Sequence, residues 1–176
     1  MPLVAVLMLF VAGCSKSESF NLGEVKDGKY HNAFFGMTVT LPEGWTTAKT
    51  NAGNKTNSVY LFSVSTGRVD GNAIITGIAT EDVREGNAED YLEGIKQFME
   101  DTGKNAHVVQ DITSEVIGGK QFKVMAYDVT DGWNTVHQKL HTTVINGHGL
   151  GLETGYLNDE DKPTLDAVIQ SITFEQ

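Results

Sequence analysis

Three glycine-bearing dipeptides constrain this chain more than any other feature in it. Gly118-Gly119, Asp131-Gly132 and Asn146-Gly147 punctuate its C-terminal half at near-even spacing. Such pairs supply the positive φ that a tight hairpin turn demands. Around them lie residues 107–117, 120–130, 135–145 and 148–157, rich in Val, Ile, Thr and Tyr. Runs of that kind bounded by turn residues read as strands. Four strands joined by tight turns can only run antiparallel to their neighbours, so this half is a β-meander.

Upstream, residues 36–41 alternate Met37, Val39 and Leu41 with Thr38 and Thr40, and Pro42-Glu43-Gly44 turns the chain. Strand patterns recur at 58–65 and 73–80. The period then changes. Asn87 caps an acidic helix start at Glu89-Asp90. Tyr91, Leu92, Ile95, Phe98 and Met99 fall at i, i+1, i+4, i+7 and i+8, an apolar helical stripe, with Gly103 as its C-cap. A last helix is expected from about Asp159, with Leu165, Val168, Ile169 and Ile172 inward, and "SITFEQ" closes with a short strand. The expected order is β-β-β-α-β-β-β-β-α-β. Helices then cover a mostly antiparallel sheet, an α+β class. A chain of 176 residues with 40% hydrophobic content suffices for one such domain.

The sheet region does not explain the N-terminus. Residues 3–13 are apolar and uncharged, and at 11 residues they are too short for the roughly 20 a spanning helix needs. They read as the apolar region of a signal peptide. Met1-Pro2 supplies no Lys or Arg ahead of them, so the signal is expected to be truncated at its start. The run ends in Val11-Ala12-Gly13-Cys14, and Cys14 is the chain's only cysteine. One cysteine permits no internal disulfide. An aliphatic residue, two small residues and a cysteine resemble the bacterial lipobox. That resemblance implies a diacylglyceryl group on Cys14, cleavage just before it, and two or more acyl chains as a stable anchor. The expected organisation is a signal peptide over 1–13, a lipid-anchored flexible tether over 14–28 and one α+β domain over 29–176. The expected address is the cell membrane, lipid-anchored and facing the extracytoplasmic side. Net charge is −10, with 23 acidic residues against 13 basic ones. This argues against a nucleic-acid partner, which calls for a basic patch.

"FGMTVTLPEGW", the central helix, the meander and the closing "YLNDEDKPTLDAVIQSITFE" resemble the Mog1p/PsbP-like fold, in particular the PsbP-like lipoproteins of bacteria. The resemblance covers about Tyr30 to Glu175. It implies an α/β/α sandwich used mainly for binding and assembly, with no shared catalytic set.

Candidate chemistry is sparse. His137 and His141 share one face of a predicted strand, with Cα atoms about 13 Å apart at strand rise, too far for one metal ion without convergence. His148 or Glu153 from the next strand could complete a ligand set, but a polar, solvent-facing strand face is the preferred reading of the pair. With Asp131-Gly132-Trp133 as a three-residue loop, Phe122, Val124 and Ala126 face Thr142, Leu140 and Gln138. Lys123, Met125 and Tyr127 then face His141, Lys139 and His137. That register gives a buried face and a mixed outer face. On the latter, Met125, Tyr127 and His137 form a patch for a ligand or a covering helix. An Asp131-Gly132 loop would instead set His137 and His141 against Ala126 and Phe122.

"GHGLGLETG" fails the GxGxxG spacing and lacks a P-loop lysine. Its alternation puts Gly149, Gly151, Glu153 and Gly155 on one face, suited to a closely packed helix or to a shallow pocket based on Glu153. Asp128, Asp131 and Asn134 lie near a turn without EF-hand spacing. Trp133 at a hairpin tip either meets a partner or folds back; Trp45 anchors a core edge. There is no GxSxG motif. The expectation is a non-enzymatic binding or assembly module without cofactor. Its partners are the membrane, through lipid on Cys14, and a protein. The alternative is a small extracytoplasmic metal-binding protein or enzyme using His137, His141 and Glu153.

Overall fold

The computed structural model describes residues 22–47, 58–66, 73–80, 88–102 and 105–175. The signal region, Cys14, the Asn87 cap and the Gly103 cap lie outside them.

A small sheet contains β1 (Glu24–Lys26), β2 (Lys29–Asn32), β3 (Met37–Thr40) and β11 (Thr173–Phe174), in the order β1-β2-β3-β11. The large sheet contains β4 (Thr46–Thr47), β5 (Ser58–Ser65), β6 (Ile74–Thr80), β7 (Ala106–Ile117), β8 (Lys120–Asp131), β9 (Asn134–Ile145) and β10 (His148–Tyr156). Its order is β4-β5-β6-β10-β9-β8-β7, antiparallel throughout. Among the described residues two helices complete the fold: α1 (Ala88–Thr102) and α2 (Lys162–Gln170), the latter entered through a 3-10 turn at Asp159–Asp161. The α+β class, the meander and the closing strand agree with the sequence. The segment read as a structureless tether differs at its end: Val25 pairs with Tyr30 in a hairpin, so ordered structure begins by Glu24. All three β1 residues are exposed, which is why composition alone read as linker.

The β8–β9 register is also corrected. Asp131 pairs with Asn134, leaving Gly132-Trp133 as a two-residue loop. Gly132 takes φ 59° at the first central position, where glycine is favoured and a side chain is strained. Relative to the expected three-residue loop, every partner shifts by one. Val124 now faces His141, and Asp128 faces His137. His137 and His141 therefore share a face with Phe122 and Val124, and Tyr127 lies on the other face.

Through pairing with β10, that histidine face also carries Leu150 and Leu152. It is covered by the small sheet and α2. Tyr30, Met37, Val39, Phe62, Phe122, Leu150, Leu152, Leu165, Val168 and Ile172 form one buried cluster there, with Trp45 packed at its edge. Each large apolar side chain so buried contributes on the order of 1.5–3 kcal/mol. Gly77 is part of the same packing: a Cβ there would clash with the Phe62 ring. The opposite face receives α1, which packs on β7, β8 and β9. Leu92, Met99, Met125, Tyr127 and Leu140 form its smaller cluster. Only part of the predicted α1 stripe is inward: Tyr91 and Phe98 stay 47% and 57% exposed.

The glycine face of β10 is not a helix-packing seat among the described residues. A Cβ on Gly151 would come no closer than 3.8 Å to any of them, and its nearest neighbours are Ile78 and Leu140 of adjoining strands.

Candidate functional site

A cleft of about 550 Å³ opens between the large sheet and α2, lined by Glu115 from β7, Lys139 and His141 from β9, and Lys162, Asp166 and Gln170 from α2. Ile117 and Ile169 supply apolar wall. His141 is held between its cross-strand partners, Val124 and Leu152. Only 1% of it is exposed. Its Nδ1 donates to the Leu152 carbonyl oxygen at 3.4 Å. A carbonyl only accepts, so this bond places the ring proton on Nδ1 and leaves a lone pair on Nε2.

Nε2 is buried without a hydrogen-bond partner. The nearest carboxylate oxygen, Glu115 Oε2, stands 3.6 Å away, beyond hydrogen-bond range. Glu115 is engaged by Lys139, Nζ to Oε1, at 2.7 Å. Burial pushes the His141 imidazole down to about pKa 4, and the Lys139 charge adds to this; Glu115, the Leu152 carbonyl and Asp166 oppose it. His141 is therefore neutral over the ordinary pH range. A buried acceptor left unmet costs about 1–3 kcal/mol, so the cleft holds a polar atom with unused binding capacity. On α2, Lys162 and Asp166 pair at 2.8 Å one turn apart.

The other residues singled out from sequence are dispersed. His137 lies on the same sheet face as His141, nearer the hairpin tip. Its Nδ1 is 2.8 Å from Asp128 Oδ1, and its ring tilts over Tyr156 at 5.1 Å. Asp128 also has His107 Nε2 at 4.0 Å, so it serves two histidines on the strands and is not a turn ligand. Tyr127 and Glu153 are on the α1 face, where the Tyr127 hydroxyl donates to Glu153 Oε1 at 2.9 Å. Burial, then the Glu153 carboxylate, raises the Tyr127 phenol well above its usual value. Tyr91 is raised for the same two reasons, with Tyr60 adding to them.

The expected His137/His141/Glu153 face is thus contradicted: the alternation of β9 and β10 sends Glu153 to the opposite side of the sheet. The Met125/Tyr127/His137 patch is split in the same way. Among the described residues, no group of three or more His, Cys, Asp or Glu is placed to hold a metal ion. Trp133 is fully exposed at its hairpin tip.

Sequence reasoning missed Glu115, Lys139, Lys162, Asp166 and Gln170 as a set. The Lys162–Asp166 spacing was a readable helical pair. Glu115 carried no signal, because β7 changes register between Val108 and Gln110 and again between Gln110 and Thr113.

No family model matches the chain, and no curated protein matches it in sequence. Solved structures do match. Cyanobacterial PsbP (CyanoP) from Synechocystis sp. PCC 6803 superposes with a TM-score of 0.62 at 18% identity, covering 87% of this chain and 96% of CyanoP. The fold is PsbP-like. LpqN, described as involved in cell envelope biogenesis of Mycobacterium tuberculosis, matches with a TM-score of 0.53 at 14% identity, covering 80% of this chain and 83% of LpqN. At these identities the likeness is one of fold.

Proposed function

We propose that this chain is a lipid-anchored, extracytoplasmic binding module without enzymatic activity, and that the His141 cleft is its binding site. One observation carries the anchor: the only cysteine follows Val11-Ala12-Gly13 at the end of an uncharged run of 11 residues. The PsbP-like fold supports the reading, since LpqN, of the same fold, is described as acting in cell envelope biogenesis. So does the cleft, where paired charges and an unmet acceptor suit holding a ligand. The imidazole, kept neutral down to about pH 4, is a weak base at neutral pH.

Membrane fractionation of cells expressing the full chain tests this reading. Wild type is expected in the membrane fraction, carrying label from radioactive palmitate. Cys14→Ala, or globomycin treatment, should give a longer form, and Cys14→Ala should lack the label. Normal processing and unchanged membrane association of Cys14→Ala would refute the anchor.

A second reading, assembly with a protein partner, rests on Trp133, which is fully exposed on a two-residue loop. Exposed tryptophans are favoured anchors at interfaces. Trp133→Ala should then lower partner recovery in a pull-down while leaving the melting temperature unchanged.

A further inference from the structure

We propose that the His141 cleft binds a neutral polyhydroxyl ligand of sugar size, one hydroxyl of which donates to His141 Nε2. This deepens, and rests on, the reading of the chain as a binding module.

Three observations converge on that ligand class. The first is the unmet acceptor. Nε2 is buried without a hydrogen-bond partner, and its ring proton is committed to the Leu152 carbonyl. What it lacks is a donor. A hydroxyl supplies one and still accepts a bond in return.

The second is charge balance. Two lysines and two carboxylates line the cleft, and each lysine is already matched, Lys139 to Glu115 at 2.7 Å and Lys162 to Asp166 at 2.8 Å. An anion would have to take a lysine from its carboxylate, and a cation would have to take a carboxylate from its lysine. Hydroxyls can donate to the carboxylates and accept from the ammonium groups with both pairs intact. The Gln170 amide adds a donor and an acceptor of its own.

The third is size and surface. About 550 Å³ lies within the range of small-molecule pockets, and Ile117 and Ile169 offer apolar wall for the C–H faces of a sugar ring. A metal fits less well, since His141, Glu115 and Asp166 are not placed as a ligand group.

The test is imidazole nitrogen NMR on the full-length protein, purified from whichever cell fraction holds it and labelled at histidine. Glucose, N-acetylglucosamine and maltose are titrated separately, with inorganic phosphate and zinc as competing classes. At least one sugar should shift the His141 Nε2 resonance saturably. Lys162→Ala and Gln170→Ala, exposed positions on α2, should weaken that binding about tenfold without loss of fold, as read by circular dichroism. Trp133→Ala should bind like wild type.

A flat response to all three sugars would overturn the proposal. So would saturation of Nε2 by phosphate or zinc in preference to every sugar. Phosphate or zinc binding at His141 would leave the cleft standing as a binding site and remove only the ligand class. A flat response to all five probes would remove the cleft as well. The lipid anchor fails separately, in the Cys14→Ala fractionation.

Discussion

The two faces of the large sheet are closed by different means. On one, a second sheet and α2 bury a continuous apolar cluster from Tyr30 to Ile172. On the other, α1 covers three strands and leaves its own Tyr91 and Phe98 about half exposed. The polar groups follow the same division. On the α2 face His141 is sealed from water and held neutral. On the α1 face Tyr127 and Glu153 satisfy one another, beside the partly exposed Tyr60 and Tyr91. Burial without a partner, rather than the presence of an ionisable residue, is what distinguishes the candidate site.

The largest expected difference between the faces lies in apolar truncation. Phe122→Ala on the α2 face should cost about 3–5 kcal/mol in urea unfolding, since its ring is wholly buried. Phe98→Ala on α1 should cost less than about 1 kcal/mol. Equal costs would mean that the two faces are equally closed.

The next effect is pH dependence. The unfolded chain takes up a proton at His141 near pH 6.5, while the folded chain does so only near pH 4. Because the folded value is depressed, this group's contribution is intact above pH 6.5 and is lost as pH falls through that window. The loss is about 3 kcal/mol. His141→Asn keeps a donor for the Leu152 carbonyl and removes the titration. Its unfolding free energy should therefore fall less than that of wild type between pH 6.5 and 4. Parallel curves would assign the acid sensitivity to other groups.

Smaller again is Tyr127→Phe, which deletes the hydroxyl bonded to Glu153 and should cost about 1 kcal/mol by thermal unfolding. Smallest is Trp133→Ala, expected within about 0.5 kcal/mol of wild type because the indole touches solvent on all sides.

Much of the architecture was legible in the sequence. Glycine dipeptides marked the hairpins, alternation marked β3, and the change to a 3.6 period marked α1. The site was less legible, for a specific reason. Strand β8 is buried on both faces, Phe122 and Val124 on one and Met125 and Tyr127 on the other. A strand buried on both sides gives no hydrophobic-in, polar-out signal to fix its register. The turn had to decide it, and Gly132 took the first loop position rather than the second. That single step moved His141 from an expected mixed outer face into the core. The irregular register of β7 hid the approach of Glu115 in the same way.

The central claim is a neutral imidazole whose Nε2 is buried at the cleft wall without a hydrogen-bond partner. The most direct measurement is the pH titration of the His141 ring by nitrogen NMR. The account predicts a midpoint near pH 4, with the proton on Nδ1 at neutral pH. A midpoint near the ordinary 6.5, or a proton resident on Nε2, would contradict it.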